Sequence, residues 1–213
     1  MKTMNNKQWH LERAQGIGGS DAAAVLGLNP YMTNMDLWKI KTGRKKQPDI
    51  SSKPYVKYGT EAEKYLISLF ALDYPEYEVQ HTDYDLIRHP EFSFLHASLD
   101  GRLIEKSTGR KGILEIKTTN IQQAGQKDKW DNKVPINYFC QVLHYLNVTG
   151  WDFAILKSQL KTTHQSDVQL LTKHYFFERS DFEEDIATLH NAELKFWEKV
   201  QKDEEPNLIL PEI

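Results

Sequence analysis

Two short segments carry residues whose types and spacing suit chemistry on a phosphodiester. The first is Ser98-Leu99-Asp100-Gly101. The second is Gly112-Ile113-Leu114-Glu115-Ile116-Lys117-Thr118. Side chains alternate along a strand, so Glu115 and Lys117 share a face with Ile113, while Leu114 and Ile116 point into core. The polar stretch Glu105–Lys111 is a hairpin signal, and across that hairpin Asp100 can lie opposite Glu115. Two carboxylates and one ammonium then converge. Hard oxygen ligands suit Mg2+, which takes one or two carboxylates together with water and substrate phosphate. Such a metal lowers the pKa of a bound water and stabilises charge on the attacked phosphate. A lysine beside it orients that water or neutralises the developing charge. The Ile116 carbonyl is a further candidate ligand. Taken alone, Glu-x-Lys more often marks an exposed strand with an ion pair of little energetic weight.

Two more segments add to the set. Tyr58-Gly59-Thr60-Glu61-Ala62-Glu63 opens a helix, with Glu63 in its first turns as another carboxylate. Gln141 and Tyr145 stand one helical turn apart on one face. Near the N-terminus, Gly16-Ile17-Gly18-Gly19-Ser20-Asp21 reads as a glycine turn feeding a helix, with Ser20 or Asp21 as N-cap. A dinucleotide fingerprint is excluded there, because Asp21 stands where the third glycine belongs and no strand precedes it.

Asp100, Glu115-Ile116-Lys117 and Gln141-x-x-x-Tyr145 together resemble the PD-(D/E)XK nuclease superfamily. Trp9-His10-Leu11-Glu12-Arg13, the run Gly16–Gly27 and Gly59-Thr60-x-x-Glu63 narrow the likeness to the YqaJ-like viral recombinases, relatives of phage lambda exonuclease. The motifs span about residues 9–160 in the family's order. The resemblance implies a Mg2+-dependent 5′→3′ exonuclease on double-stranded DNA ends, with Mn2+ able to substitute. It implies metal ligation by Asp100, Glu115, Ile116 and Glu63, a catalytic Lys117, and Gln141 completing the site with Tyr145 in support. Arg13, Gly19 and Ser20 fall where the family grips a 5′-phosphate, and exposed N–H groups at a helix start fit an anion. A ring-shaped homotrimer, a single-strand annealing partner and a phage or prophage origin in a bacterial cytoplasm are implied as well. The same superfamily also holds endonucleases, and an inactive DNA-binding module would keep the fold. Leu99 replaces the proline that names the superfamily, a position without chemistry.

The elements that must position these residues read as an α/β or α+β arrangement, a central mixed sheet flanked by helices. Helices are expected over Lys7–Ala14, Ser20–Leu26, Thr33–Lys41, Glu61–Leu72, Ile136–Val148 and Asp181–Asp203. Strands are expected over Glu78–Arg88, Phe92–His96, Leu99–Ile104, Gly112–Thr118, Trp151–Gln159 and Lys173–Arg179. Thr42–Lys57 reads as a loop. The last helix should bury Phe182, Ile186, Leu189, Leu194, Trp197 and Val200. One nuclease domain over 1–213 is expected, with an end-binding segment at about 1–57, a core at about 58–180 and an acidic helix at about 181–205.

Composition sets the bounds. Of 213 residues, 39% are hydrophobic, enough for a packed core and against a disordered chain. No apolar run reaches the roughly 18 residues of a membrane span. Met1–Asn6 has no apolar stretch behind it, so no secretory leader is expected and a cytosolic protein is the default. A single cysteine, Cys140, excludes an internal disulfide or a four-cysteine metal site. The eight histidines have no metal-ligand spacing and read as ordinary surface, core or capping residues. Net charge is −3, but residues 181–213 alone hold ten acids against three lysines. The rest is therefore basic, with Lys39–Lys57 a candidate stripe for phosphates. The acidic helix is expected to face away from DNA or to pack on a basic neighbour in an oligomer.

Overall fold

Local capping signals set the first helices. In the computed structural model, which describes residues 5–165 and 167–210, α1 (Asn6–Ala14) starts where the Asn5 side chain accepts the Gln8 N–H at 2.9 Å. Lys2 and Glu212 of the charge counts lie outside the described residues. The two-residue strand β1 (Ile17–Gly18) leads into α2 (Gly19–Val25). Its N-cap is Gly18, not Ser20 or Asp21. Asp21 acts from inside the helix, its carboxylate accepting the Gly18 N–H at 3.1 Å. α3 (Asn34–Lys41) opens on a capping box between Thr33 and Asp36. α4 (Pro54–Asp73) begins at a proline, whose missing N–H is no loss in a first turn. The loop expected to run to Lys57 therefore ends at Lys53.

The extended segment expected over Glu78–Arg88 divides. β2 (Tyr77–Gln80) and β3 (Ile87–Arg88) belong to different sheets, and between them Tyr84 takes φ +58°, which ends extended backbone. β4 (Leu95–Ala97) follows, then β5 (Gly101–Glu105), with Asp100 just outside it. β6 (Lys111–Ile121) is longer than expected. A short α5 (Ala124–Asp128) and then α6 (Ile136–Thr149) precede β7 (Phe153–His164) and β8 (Asp167–Glu178). A 3-10 turn at Arg179–Asp181 leads into α7 (Glu183–Lys202), so the last helix starts two residues late.

One sheet has strand order β1-β4-β3, the other β2-β5-β6-β7-β8. Their pairings are antiparallel except β1 with β4 and β6 with β7. The parallel β6–β7 pair requires a crossover, and α5 and α6 supply it. Both faces of β6 are covered. Leu114 and Ile116 join Leu66, Ile67 and Phe70 of α4 on one side. Ile113 joins the larger cluster of α2, α3, α6 and α7 on the other. This is the mixed sheet between helices that the alternation of periods implies. No helix among the described residues is long and apolar enough to cross a membrane.

α7 packs on the same chain. Ile186, Leu189 and Phe196 are buried as a stripe, and Glu193 is buried within it, whereas Leu194 is only half-buried. Just past its end, Asp203 accepts both arms of Arg44 at 2.6 and 2.7 Å. Lys45 pairs with Asp36 at 2.7 Å and Lys41 with Asp21 at 2.8 Å. The stripe expected to face phosphates is thus partly neutralised by internal acids. Cys140 is buried, and burial pushes its thiol up to about 11, which leaves it unreactive.

Candidate active site

Alternation puts Glu115 and Lys117 on the α6 face of β6, and hairpin register brings Asp100 to them. Gly101 pairs with Leu114, so Asp100 sits one step beyond the last ladder position, where its Oδ2 accepts the Ile116 N–H at 2.8 Å. The N–H and C=O of one strand residue point to the same edge. The Ile116 carbonyl therefore also faces Asp100 rather than β7. Beyond Leu114 β5 no longer pairs with β6, and among the described residues no other strand takes that edge from Glu115 onward.

Glu115 is 1% exposed. Its Oε1 accepts the Lys117 ammonium at 2.5 Å and the Gln141 amide at 2.8 Å. Gln141 donates its second N–H to the Tyr145 hydroxyl at 2.8 Å, so both amide hydrogens are used. Glu115 Oε2 is buried with no partner. An orphaned carboxylate oxygen in the interior is costly unless a cation or water completes it. Glu63, half-buried on α4, reaches this group from the other side. Burial, then repulsion from Asp100, pushes Glu63 up to about 7 and Glu115 up to about 8. Burial also raises Asp100, against the pull of Lys117. Burial opposes the charge on Lys117, but Glu115 and Asp100 outweigh it and hold the ammonium charged. Acids pushed together out of water are a site that lacks positive charge.

No group of three His, Cys, Asp or Glu among the described residues forms a ready metal cage. The donor set instead suits a hard cation that keeps its waters: carboxylates of Asp100 and Glu115, a free carboxylate oxygen, a backbone carbonyl and Glu63 nearby.

The N-terminal turn meets this group directly. A Cβ on Gly19 would lie 2.5 Å from Tyr145 Cε1 and 2.8 Å from Gln141 Cγ. Only glycine lets the start of α2 lie this close to α6. Ser20 is exposed beside it. Arg13 is half-buried with its guanidinium 4.2 Å over the Trp9 ring, makes no ion pair among the described residues, and favours the ionised forms of Asp100 and Tyr145. The structure thus brings Asp100, Glu115, Ile116, Lys117, Glu63, Gln141 and Tyr145 together, with Arg13, Gly19 and Ser20 at their rim.

The pattern of the chain hid two buried supports. His144 Nε2 donates to the His96 carbonyl at 2.9 Å, and its Nδ1 meets Glu193 Oε1 at 2.6 Å, with both side chains fully buried. His96 in turn bonds the Arg13 carbonyl at 3.1 Å through Nε2, and burial pushes it down to about 4, so it is neutral. These two histidines are structural links rather than ordinary fillers. An acid in the apolar stripe of α7 was the available signal. The second support is the Lys41–Asp21–Gly18 connection under the glycine turn.

Solved structures share this fold. An alkaline exonuclease (LHK-Exo) from Laribacter hongkongensis superposes with a TM-score of 0.67 at 18% identity, covering 93% of this chain and 94% of that one. A phage related exonuclease from Haemophilus somnus 129PT gives 0.58 at 14% identity, covering 88% and 96%. The fold is the one these two exonucleases share. Its sequence is 32% identical to the uncharacterized protein YqaJ of Bacillus subtilis strain 168 over 96% of this chain, and it spans 60% of that relative's length. The profile of the YqaJ-like viral recombinase domain matches residues 8–152, and the chain belongs to that family.

Proposed function

We propose that this chain is a metal-dependent deoxyribonuclease that digests double-stranded DNA from its ends in the 5′→3′ direction. The observation that carries the reading is Glu115: a fully buried carboxylate, one oxygen unpartnered, with Asp100 across the strand edge and Lys117 on its other oxygen. Its resemblance to the exonucleases named above supports the ends as substrate.

Asp100, Glu115, Glu63 and the Ile116 carbonyl would hold Mg2+, for which Mn2+ could substitute. When bound, the ion supplies Lewis-acid polarisation of a phosphate oxygen and a more acidic water. The chain's own residues do the rest. Lys117 stays charged and sits where it can orient the attacking water and offset negative charge on the phosphorus centre. Gln141 fixes one Glu115 oxygen, leaving the other without a partner and so available to the cation. Tyr145 fixes Gln141. Arg13, Gly19 and Ser20 receive the 5′-phosphate, Arg13 through a charge-assisted fork. The family resemblance extends the proposal to a homotrimer acting with a single-strand annealing protein, in a bacterial cytoplasm.

Incubation of linear and closed-circular plasmid with Mg2+ tests the reading. Loss of the linear form alone, with 5′-end label released first, is the expected result. Nicking of the circle would make the protein an endonuclease, and survival of both would make it an inactive DNA-binding module. Arg13→Ala should erase most of the preference for 5′-phosphorylated over 5′-hydroxyl ends. Equal preference in variant and parent would remove Arg13 from end recognition.

Metal binding should also be visible without DNA. A carboxyl raised in the fold holds its proton more tightly there than in the unfolded chain. Glu115 therefore makes the metal-free protein less stable as pH rises from its ordinary value of 4.5 to about 8. A cation displaces those protons, so millimolar Mg2+ should raise the melting temperature more at pH 8.5 than at pH 6. A Mg2+ effect that is the same at both values would argue against these carboxyls as its ligands.

A further inference from the structure

We propose that a polar crevice at the far end of β6 and β7 holds the phosphate backbone of the substrate strand a few nucleotides from the scissile phosphate. The proposal rests on the nuclease reading and adds a second contact for the same DNA. Lys117, Thr119 and Ile121 follow one another on the catalytic face of β6. The other edge of β6 pairs with β7, where Thr162 stands beside Ile121 on this face, while Lys161 stands beside Asn120 on the opposite face, toward Tyr58. Thr119 Oγ1 lies between the site and the crevice, buried and without a partner. The crevice, about 800 Å³, is lined by Asn120, Gln123, Lys127, Lys161, Thr163 and Gln169 among others, and none of its lining residues is an acid.

Its two lysines are available. Among the described residues, neither Lys127 nor Lys161 makes an ion pair, unlike Lys41, Arg44 and Lys45. Lys127 is exposed on α5. Lys161 Nζ stands 4.6 Å over the Tyr58 ring, and the Tyr58 hydroxyl donates to Gln159 at 2.6 Å, which fixes the start of α4 against β7. Amides, hydroxyls, the His164 imidazole and two ammonium groups without an ion pair, with no acid on the crevice wall, suit phosphate oxygens. Four strand residues from Lys117 to Ile121 span about 13 Å. That is roughly four nucleotides at the 3.4 Å stacked rise, or about half as many in an extended strand. The ligand is therefore the continuing backbone of the strand being cut, bound without regard to sequence.

The test is fluorescence anisotropy of a labelled single-stranded oligonucleotide, in Ca2+ and over a range of salt, with the full chain. The variants are Lys127→Ala/Lys161→Ala and Lys127→Arg/Lys161→Arg, with Lys195→Ala on α7 as control. Each single-strand phosphate contact contributes about 0.7 to the slope of log affinity against log salt. The alanine pair should flatten that slope by about 1.4 and weaken binding about tenfold near 0.1 M salt. The arginine pair and Lys195→Ala should match the parent. An unchanged slope and affinity in the alanine pair, with the parent binding DNA normally, would overturn the crevice and leave the nuclease reading standing. A parent that binds no DNA would overturn both. All replaced side chains but Lys161 are exposed, and unchanged melting temperatures confirm that the variants are folded.

Discussion

Lys117→Ala should slow digestion of linear duplex DNA by at least a hundredfold while the chain stays folded, and Glu115→Gln should do the same. The size follows from removing one preorganised charge or ligand at the reacting phosphate, which is worth about 10² to 10³ in rate. The two variants should differ in stability, which separates chemistry from folding. Lys117→Ala leaves Glu115 buried without its cation, so the carboxyl takes up a proton at higher pH than in the parent. Glu115→Gln removes a carboxylate that burial and Asp100 already disfavour. The glutamine oxygen can still accept from Gln141. Its melting temperature without metal at pH 8 should therefore be no lower than the parent's. Digestion at the parent rate by either variant would take the site away from β6. A large fall in melting temperature for Glu115→Gln would mean that its charge stabilises the fold, contrary to the geometry.

Glu193→Leu should be the most destabilising single change in the last helix. Glu193 and His144 are fully buried partners, and removing one member of such a pair costs about 3 to 5 kcal/mol. In a domain of this size each kcal/mol lowers the melting temperature by about 2 to 4 °C, so a fall on the order of 10 °C is expected. The effect has a pH sign. Burial opposes a charge on His144, but Glu193 outweighs it and raises the histidine above its ordinary value near 6.5. A group that binds its proton more tightly in the fold contributes fully below about 6.5 and loses that contribution as pH rises through the folded value. The gap between parent and Glu193→Leu should therefore be widest in mild acid and narrow on the alkaline side. Replacing both partners by leucine should restore part of the loss, because the orphaned group goes too. A gap that ignores pH would mean that the contact is only packing.

Much of the site was legible because its residues obey short-range rules. Strand alternation placed Glu115 and Lys117 on one face, hairpin register placed Asp100 beside them, and helical spacing joined Gln141 to Tyr145. Local signals also set α1, α3 and α6 within a residue or two. Pattern reading failed where tertiary contacts overrule local ones. Glu78–Arg88 looks like one strand, but its halves answer to different sheets. Glu193 looks like one more acid in a charged helix, yet its partner lies 49 positions away in the chain. The cations of Lys39–Lys57 look free until Asp21, Asp36 and Asp203 meet three of them. Each of these depends on long-range geometry that the periods of 2 and 3.6 do not encode.

The bond from the Ile116 N–H to Asp100 has a consequence for which changes the protein tolerates. It ties the reactive geometry to the pairing of β5 with β6, not to the turn that joins them. A slip of one residue in that pairing would exchange the two faces of β6, sending Glu115 and Lys117 into the apolar layer under α4. The exposed tip at residues 106–109 sets no part of that register once Gly101 to Ile104 are paired. A fluorophore or short epitope could be inserted there without disturbing the site, whereas a single residue added between Lys111 and Glu115 should abolish the proposed activity.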